Sequence, residues 1–110
     1  MNYLWAGGEN HPFRFSWRAL KKLAAKLGLK KVAELDQALT GLEFEHIPTL
    51  IHIGIEEGYR MEGKECPVTT DTVEDWLDED FGLMMRAMEA VGEQMQSATE
   101  KKVTAAKQAK

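Results

Sequence analysis

A chain of 110 residues is large enough for one domain that buries roughly two thirds of the surface its unfolded form would expose, and too short for a second core. Its composition, 44% hydrophobic and 29% charged, is ordinary for a soluble globular protein and demands no fibrous, membrane or wholly disordered reading. The net charge of −4 is unevenly spread: residues 1–31 carry seven basic side chains against Glu9, residues 32–96 carry three against sixteen acidic ones, and residues 97–110 carry four lysines against Glu100. Such a split lets the basic first part meet the acidic middle, within one chain or between copies, or else leaves two separately solvated faces. No apolar run approaches the roughly 20 residues of a membrane span, and MNYLWAGGEN lacks the basic-then-apolar order of a secretion signal. A lone Cys66 cannot form an internal disulfide, so a cytosolic setting is expected.

In chain order, NYLWAGGENHPFRF places aromatic and apolar residues on both sides of a Gly-Gly-Glu-Asn turn signal, which predicts a hairpin with strands near 2–5 and 12–15. Ser16 is placed to cap a helix over 17–27, with Trp17, Leu20, Leu23, Ala24 and Leu27 as its inward stripe and Lys21, Lys22 and Lys26 toward water. Gly28 ends it. A second helix over about 31–40 turns Val32, Leu35 and Leu39 inward and stops at Gly41. After the linker LEFEHI, Pro48 suits a first helical turn, where its missing N–H costs nothing. The helix it opens, about 48–61, is apolar nearly all round through Leu50, Ile51, Ile53 and Ile55 and is expected at the centre. Its Gly54 and Gly58 would let another helix approach closely. Beyond the irregular MEGKECPV, Thr69, Thr70 or Asp71 caps a short helix that turns Val73, Trp76 and Leu77 inward, with Asp71 and Glu74 spaced as a capping box. A last helix over about 80–96 precedes a segment, 97–110, with Val103 as its single large apolar residue; this predicts a mobile basic tail. The fold class is therefore mainly α (α+β), about five helices with a short N-terminal hairpin in one domain over 1–96.

The chemistry of an enzyme is not found. Asp80-Phe81-Gly82 matches a kinase metal-binding tripeptide, but no phosphate loop or catalytic-loop signature accompanies it. Asp75, Asp78, Glu79 and Asp80 lack the alternating oxygens and central glycine of a calcium loop and read as a solvated helix boundary. His11, His46, His52 and Cys66 show no zinc-ligand spacing, and His52, on the central helix, suits a hydrogen-bonded structural role. No serine or cysteine stands in a nucleophile's context. We therefore expect no catalytic residues, no cofactor and no metal. A helix-turn-helix DNA reader would use its second helix, which here carries Glu34 and Asp36, and phosphates would repel them.

What stands out is the last helix. Phe81, Met84, Met85, Met88, Val91 and Met95 fall on one face at a period of 3.6, opposite Arg86, Glu89, Glu93 and Gln94. That stripe is either core or a face offered to a partner. Methionine is unbranched and polarizable and adapts to partners of varied shape. Burying four such side chains is worth on the order of 6 to 12 kcal/mol gross, enough to serve folding or binding.

The order of these elements resembles the tail assembly chaperone family of long-tailed bacteriophages and gene transfer agents. The family's F-x-x-R-A-L-x-x-L helix is matched by Phe15, Arg18, Ala19, Leu20 and Leu23. Leu50, Ile51, His52, Ile53, Gly54 and Ile55 stand where L-L-W-A-G-L falls, and Thr69, Val73, Trp76, Leu77 and Asp78 where T-x-E-E-V-x-x-L-I-D falls. The likeness covers about residues 10–96. His52 and Ile53 replace the usual Trp-Ala pair, and Trp76 is larger than the aliphatic residue of the pattern. The resemblance implies a non-enzymatic protein of the infected bacterial cytoplasm, absent from the finished particle. It would bind the tape measure protein and help tail tube protein gather around it, and members often gain a C-terminal extension by frameshifting. On this reading Trp76, Phe81, Met84, Met85, Met88, Val91 and Met95 form the partner-binding set. Homo-oligomers are open, and neither nucleic acid nor membrane is expected as a partner. The rival expectations are a small nucleic-acid-binding regulator acting through the basic first helix and tail, and a structural component of the tail.

Overall fold

Two glycines with positive φ, Gly7 at 60° and Gly8 at 81°, close the N-terminal hairpin, because a two-residue turn matching strand twist needs left-handed backbone at both positions. Strands β1 (Tyr3–Ala6) and β2 (Glu9–Pro12) pair antiparallel, from Ala6 opposite Glu9 to Tyr3 opposite Pro12. The turn is thus tighter than the four-residue signal predicts, and β2 ends at Pro12. The computed structural model describes residues 3–108; the side chains of Val32, Ala33, Asp36 and residues 96–108 lie outside the description.

Five α-helices follow among the described residues: α1 (Trp17–Leu27), α2 (Val32–Thr40), α3 (Ile47–Met61), α4 (Thr70–Glu79) and α5 (Gly82–Gln108), with a short 3-10 turn at Phe44–His46. The mainly helical α+β architecture with an N-terminal hairpin is the one the sequence predicts. Helix α1 has the expected bounds and ends at Gly28 with φ 74°, a left-handed position that glycine takes without a Cβ clash. Its stripe is rotated from expectation: Ala19 and Leu23 are buried, Leu20, Ala24 and Leu27 half-buried, and Trp17 is exposed. Ser16 stands at the N-cap but its side chain makes no capping bond. At α4 the cap is Thr69, whose Oγ1 accepts from Thr72 N at 3.2 Å, so the Asp71–Glu74 box does not form. In α2, Leu35 and Leu39 are half-buried as expected, while Val32 falls outside the described side chains.

Helix α3 is the centre. Leu50, Ile51, Ile53, Ile55 and Gly58 are all buried on it, and α1, α4, β2 and the 3-10 turn pack around it. Its glycines admit a close neighbour, but that neighbour is extended chain and not a helix. A Cβ on Gly54 would enter the Phe13 ring, and one on Gly58 would meet the Pro12 carbonyl. Arg14 N donates to Gly54 O at 2.9 Å, so the strand leaving the hairpin lies directly on the α3 backbone. His52 Nε2 lies 3.0 Å from Val68 O, a structural bond that fastens the α3–α4 connection.

Candidate partner-binding face

Asp80 organises the start of α5. Its Oδ1 accepts from Gly82 N at 2.9 Å and its Oδ2 from Arg86 Nη2 at 3.0 Å. The Arg86 bond, with help from Gly82, holds its carboxyl below the ordinary carboxylate value. Arg86 also donates to Trp5 O at 3.0 Å, which ties α5 to the hairpin. Further along, Gln94 donates to Phe13 O at 3.0 Å and accepts from Phe15 N, so one side-chain amide satisfies two backbone groups of the segment entering α1.

Between these ties the buried line of α5 is Leu83, Ala87 and Val91, each 3% exposed or less. Val91 belongs to the expected stripe, whereas Leu83 and Ala87 each stand one position before its Met84 and Met88. Ala87, with no bulk beyond Cβ, lets α5 come close to β1, and the methionines become the shoulder of the contact. Met84, Met88 and Met95 are half-buried, packed against the core on one side and open on the other. Met85 is 66% exposed and Phe81 78% exposed. Of the seven predicted partner residues, Val91 is enclosed in the core. Trp76 is drawn to the other side of α4, its ring 5.0 Å from that of His11 and under the hairpin turn at Gly7. Phe81, Met84, Met85 and Met88 remain together, since positions three and four apart adjoin on a helix.

Next to them lies a groove of about 330 Å3, walled by Phe44, Ile47, Leu77, Asp78, Phe81 and Met84. Phe44, at 81% exposed, was hidden in the sequence inside a linker; an aromatic ring between two glutamates in a turn that needs no core residue is the signal that marks it. Leu77, predicted to face inward, and Ile47, at the end of the predicted linker, line the groove as well. The groove therefore joins four elements, the 3-10 turn, the first residue of α3, the end of α4 and the start of α5.

Reactive groups are few and lie elsewhere. Burial pushes the Cys66 thiol up and its Sγ lies 3.5 Å from Val68 O, which makes it a poor nucleophile at neutral pH. His11, 4% exposed, has its pKa lowered by burial, with Glu9 and the Ala6 backbone opposing in part; its Nδ1 lies 2.9 Å from Tyr59 OH. Among the described residues Glu43, Glu45 and His46 bring potential ligand atoms within 4.8 Å of one another, two exposed carboxylates and an imidazole at the surface, where such groups are commonly solvated. Among the same residues no helix is long and apolar enough to cross a membrane. What the face offers is apolar contact beside negative charge.

Comparison with protein-family models, with curated protein sequences and with solved structures finds no match for this chain.

Proposed function

We propose that the protein is a non-enzymatic phage tail assembly chaperone that shelters apolar helices of the tape measure protein in the host bacterial cytoplasm. The observation that carries this reading is the uncovered apolar face formed by Phe44, Phe81 and Met85 beside half-buried Met84 and Met88. Large aromatic side chains left mostly open to water mark contact surfaces, and thioethers let one surface accept several helices in turn. The match of Phe15, Arg18, Ala19, Leu20 and Leu23, and of the α3 and α4 motifs, to the chaperone pattern supports the same reading. The client docks by laying the apolar face of a helix against a groove. Tail tube protein is a further partner on this reading, and the protein leaves before the particle is complete.

Co-expression with a phage tape measure protein is the direct experiment. The wild type is expected to co-purify with it, and a Phe81→Ser/Met85→Lys variant to lose it while keeping the same helical circular dichroism. Equal recovery by both would refute the assignment of the face. The protein is expected to be missing from purified virions by mass spectrometry; its presence in stoichiometric amount would support a structural tail component instead.

A further inference from the structure

The acids around the groove differ from the acids elsewhere. Glu57 contacts Lys22 and Arg60, Glu62 contacts Lys64, and Asp80 contacts Arg86. By contrast, among the described residues no lysine or arginine pairs with Asp78, which lines the groove, with Asp75 one turn before it, with Glu79, or with Glu43 and Glu45 on either side of Phe44, although His46 Nε2 lies 3.6 Å from Glu45 Oε1. Residues 32–96 contain three basic side chains in all, Arg60, Lys64 and Arg86, and each of them is engaged in one of those pairs. The apolar groove thus has one carboxylate, Asp78, in its wall, and Glu43, Glu45 and Glu79 adjoin its lining residues in sequence, none of the four paired with lysine or arginine among the described residues.

We infer that the groove takes a cationic amphipathic helix, an apolar residue seated between Phe44 and Phe81 and Lys or Arg on the flanks facing Asp78, Asp75 and Glu43. This rests on the chaperone reading of the face and names the chemistry of the client segment. The apolar slot supplies affinity, because Ile47, Leu77 and Met84 lose water when it fills. The carboxylates supply selection and a faster encounter, since an acidic helix of equal hydrophobicity meets repulsion where a basic one meets attraction. A volume of about 330 Å3 lies at the small end of the ~300–1,000 Å3 typical of ligand pockets, which suits the anchor side chain of a helix.

The test uses fluorescence anisotropy with three labelled peptides of about 18 residues, long enough for several helical turns. One is a Leu/Lys peptide with a helical stripe, one has the same composition in an order that destroys the stripe, and one is the striped peptide with Glu in place of Lys. The full chain is expected to bind the first at least about tenfold more tightly than the other two, and raised salt should weaken that binding. Phe44→Ser/Phe81→Ser and Asp78→Lys are each expected to lose it, with circular dichroism unchanged. Equal binding of the two Lys peptides would reduce the effect to bulk charge and overturn the inference, as would equal binding of the Glu peptide or indifference to the Phe44/Phe81 variant. Sedimentation showing a dimer that the same variant dissolves would assign the groove to a second copy and likewise overturn it. If the striped Lys peptide fails while the tape measure protein still co-purifies through Phe81 and Met85, the cationic chemistry is wrong and the chaperone reading stands; if neither binds, both fall.

Discussion

Glu57 is fully buried, with Lys22 Nζ 2.9 Å from Oε2 and Arg60 Nε 3.0 Å from Oε1. Burial pushes its carboxyl up, and the bonds from Lys22 and Arg60 outweigh that, holding it below the ordinary value. A carboxylate with a depressed folded pKa stabilises above its unfolded value, near 4.5, and that stability is lost as pH falls through the folded value. Replacing Lys22 by Met leaves one of the two cations and is expected to cost about 1–3 kcal/mol in urea unfolding at neutral pH; the loss should shrink in acid, where Glu57 is protonated in either protein. His11 acts in a different window. Its lowered pKa means that the folded state binds a proton less readily than the unfolded chain does near 6.5. Stability is therefore complete above that value and falls as pH drops below it. Thermal unfolding at roughly pH 7.5 and roughly pH 5.5 is expected to show a lower midpoint in the acid sample, and a His11→Phe variant should show a smaller difference. Neither residue was legible in the sequence. Glu57 sits in a helix whose pattern reads as apolar all round, and a buried ion pair is set by a lysine on another helix.

At the scale of elements, α1, α3 and α4 were placed by local chemistry: Gly28 at a left-handed stop, Pro48 in a first turn, Thr69 before an inward stripe. What was not legible depends on which surface arrives. Gly54 and Gly58 announced a close neighbour but not its kind, because helix and strand backbones both fit against a glycine. Periodicity predicts an α5 stripe through the methionines, yet tertiary packing centres it on Leu83, Ala87 and Val91, where small Ala87 admits β1. Helix α5 also runs to Gln108, past its expected end near 96. The segment from 97 lacks Gly and Pro and is rich in Ala and Lys, which favour helix; the expected mobility of a basic tail concerns side chains outside the described residues. Two substitutions test the element contacts. Gly58→Ala would improve helix propensity by about 1 kcal/mol if α3 stood alone, but its Cβ meets the Pro12 carbonyl, so a net loss of about 1–3 kcal/mol is expected. A gain in stability would contradict the packing of the hairpin exit on α3. Gln94→Leu leaves Phe13 O and Phe15 N without the amide and should cost about 1–3 kcal/mol for each group left unsatisfied, with faster amide exchange at Phe15 as the local sign.

Across the whole molecule, the charge split visible in the sequence has two consequences. Inside the protein, Lys22 on basic α1 meets Glu56 and Glu57 on α3, each at 2.9 Å, so part of the contrast serves the fold. The remainder stays on the surface, where Asp78 lines the groove beside Leu77 and Phe81 and Glu43 and Glu45 flank Phe44 in sequence. The candidate face was half legible: periodicity found Phe81, Met84, Met85 and Met88, while Phe44 and Ile47 join them only because α3 brings the 3-10 turn beside α4 and α5. Since Phe81 is mostly exposed, Phe81→Ser is expected to change stability by no more than about 0.5 kcal/mol, so a binding defect in that variant reports the surface and not the fold. The most direct measurement is methyl NMR of the protein labelled at its methionine methyl groups, with a helical tape measure fragment added. The methyl signals of Met84, Met85 and Met88 are expected to shift or broaden, while that of Met61, exposed at the end of α3, stays in place. Movement of Met61 with the three α5 signals unchanged would contradict the account.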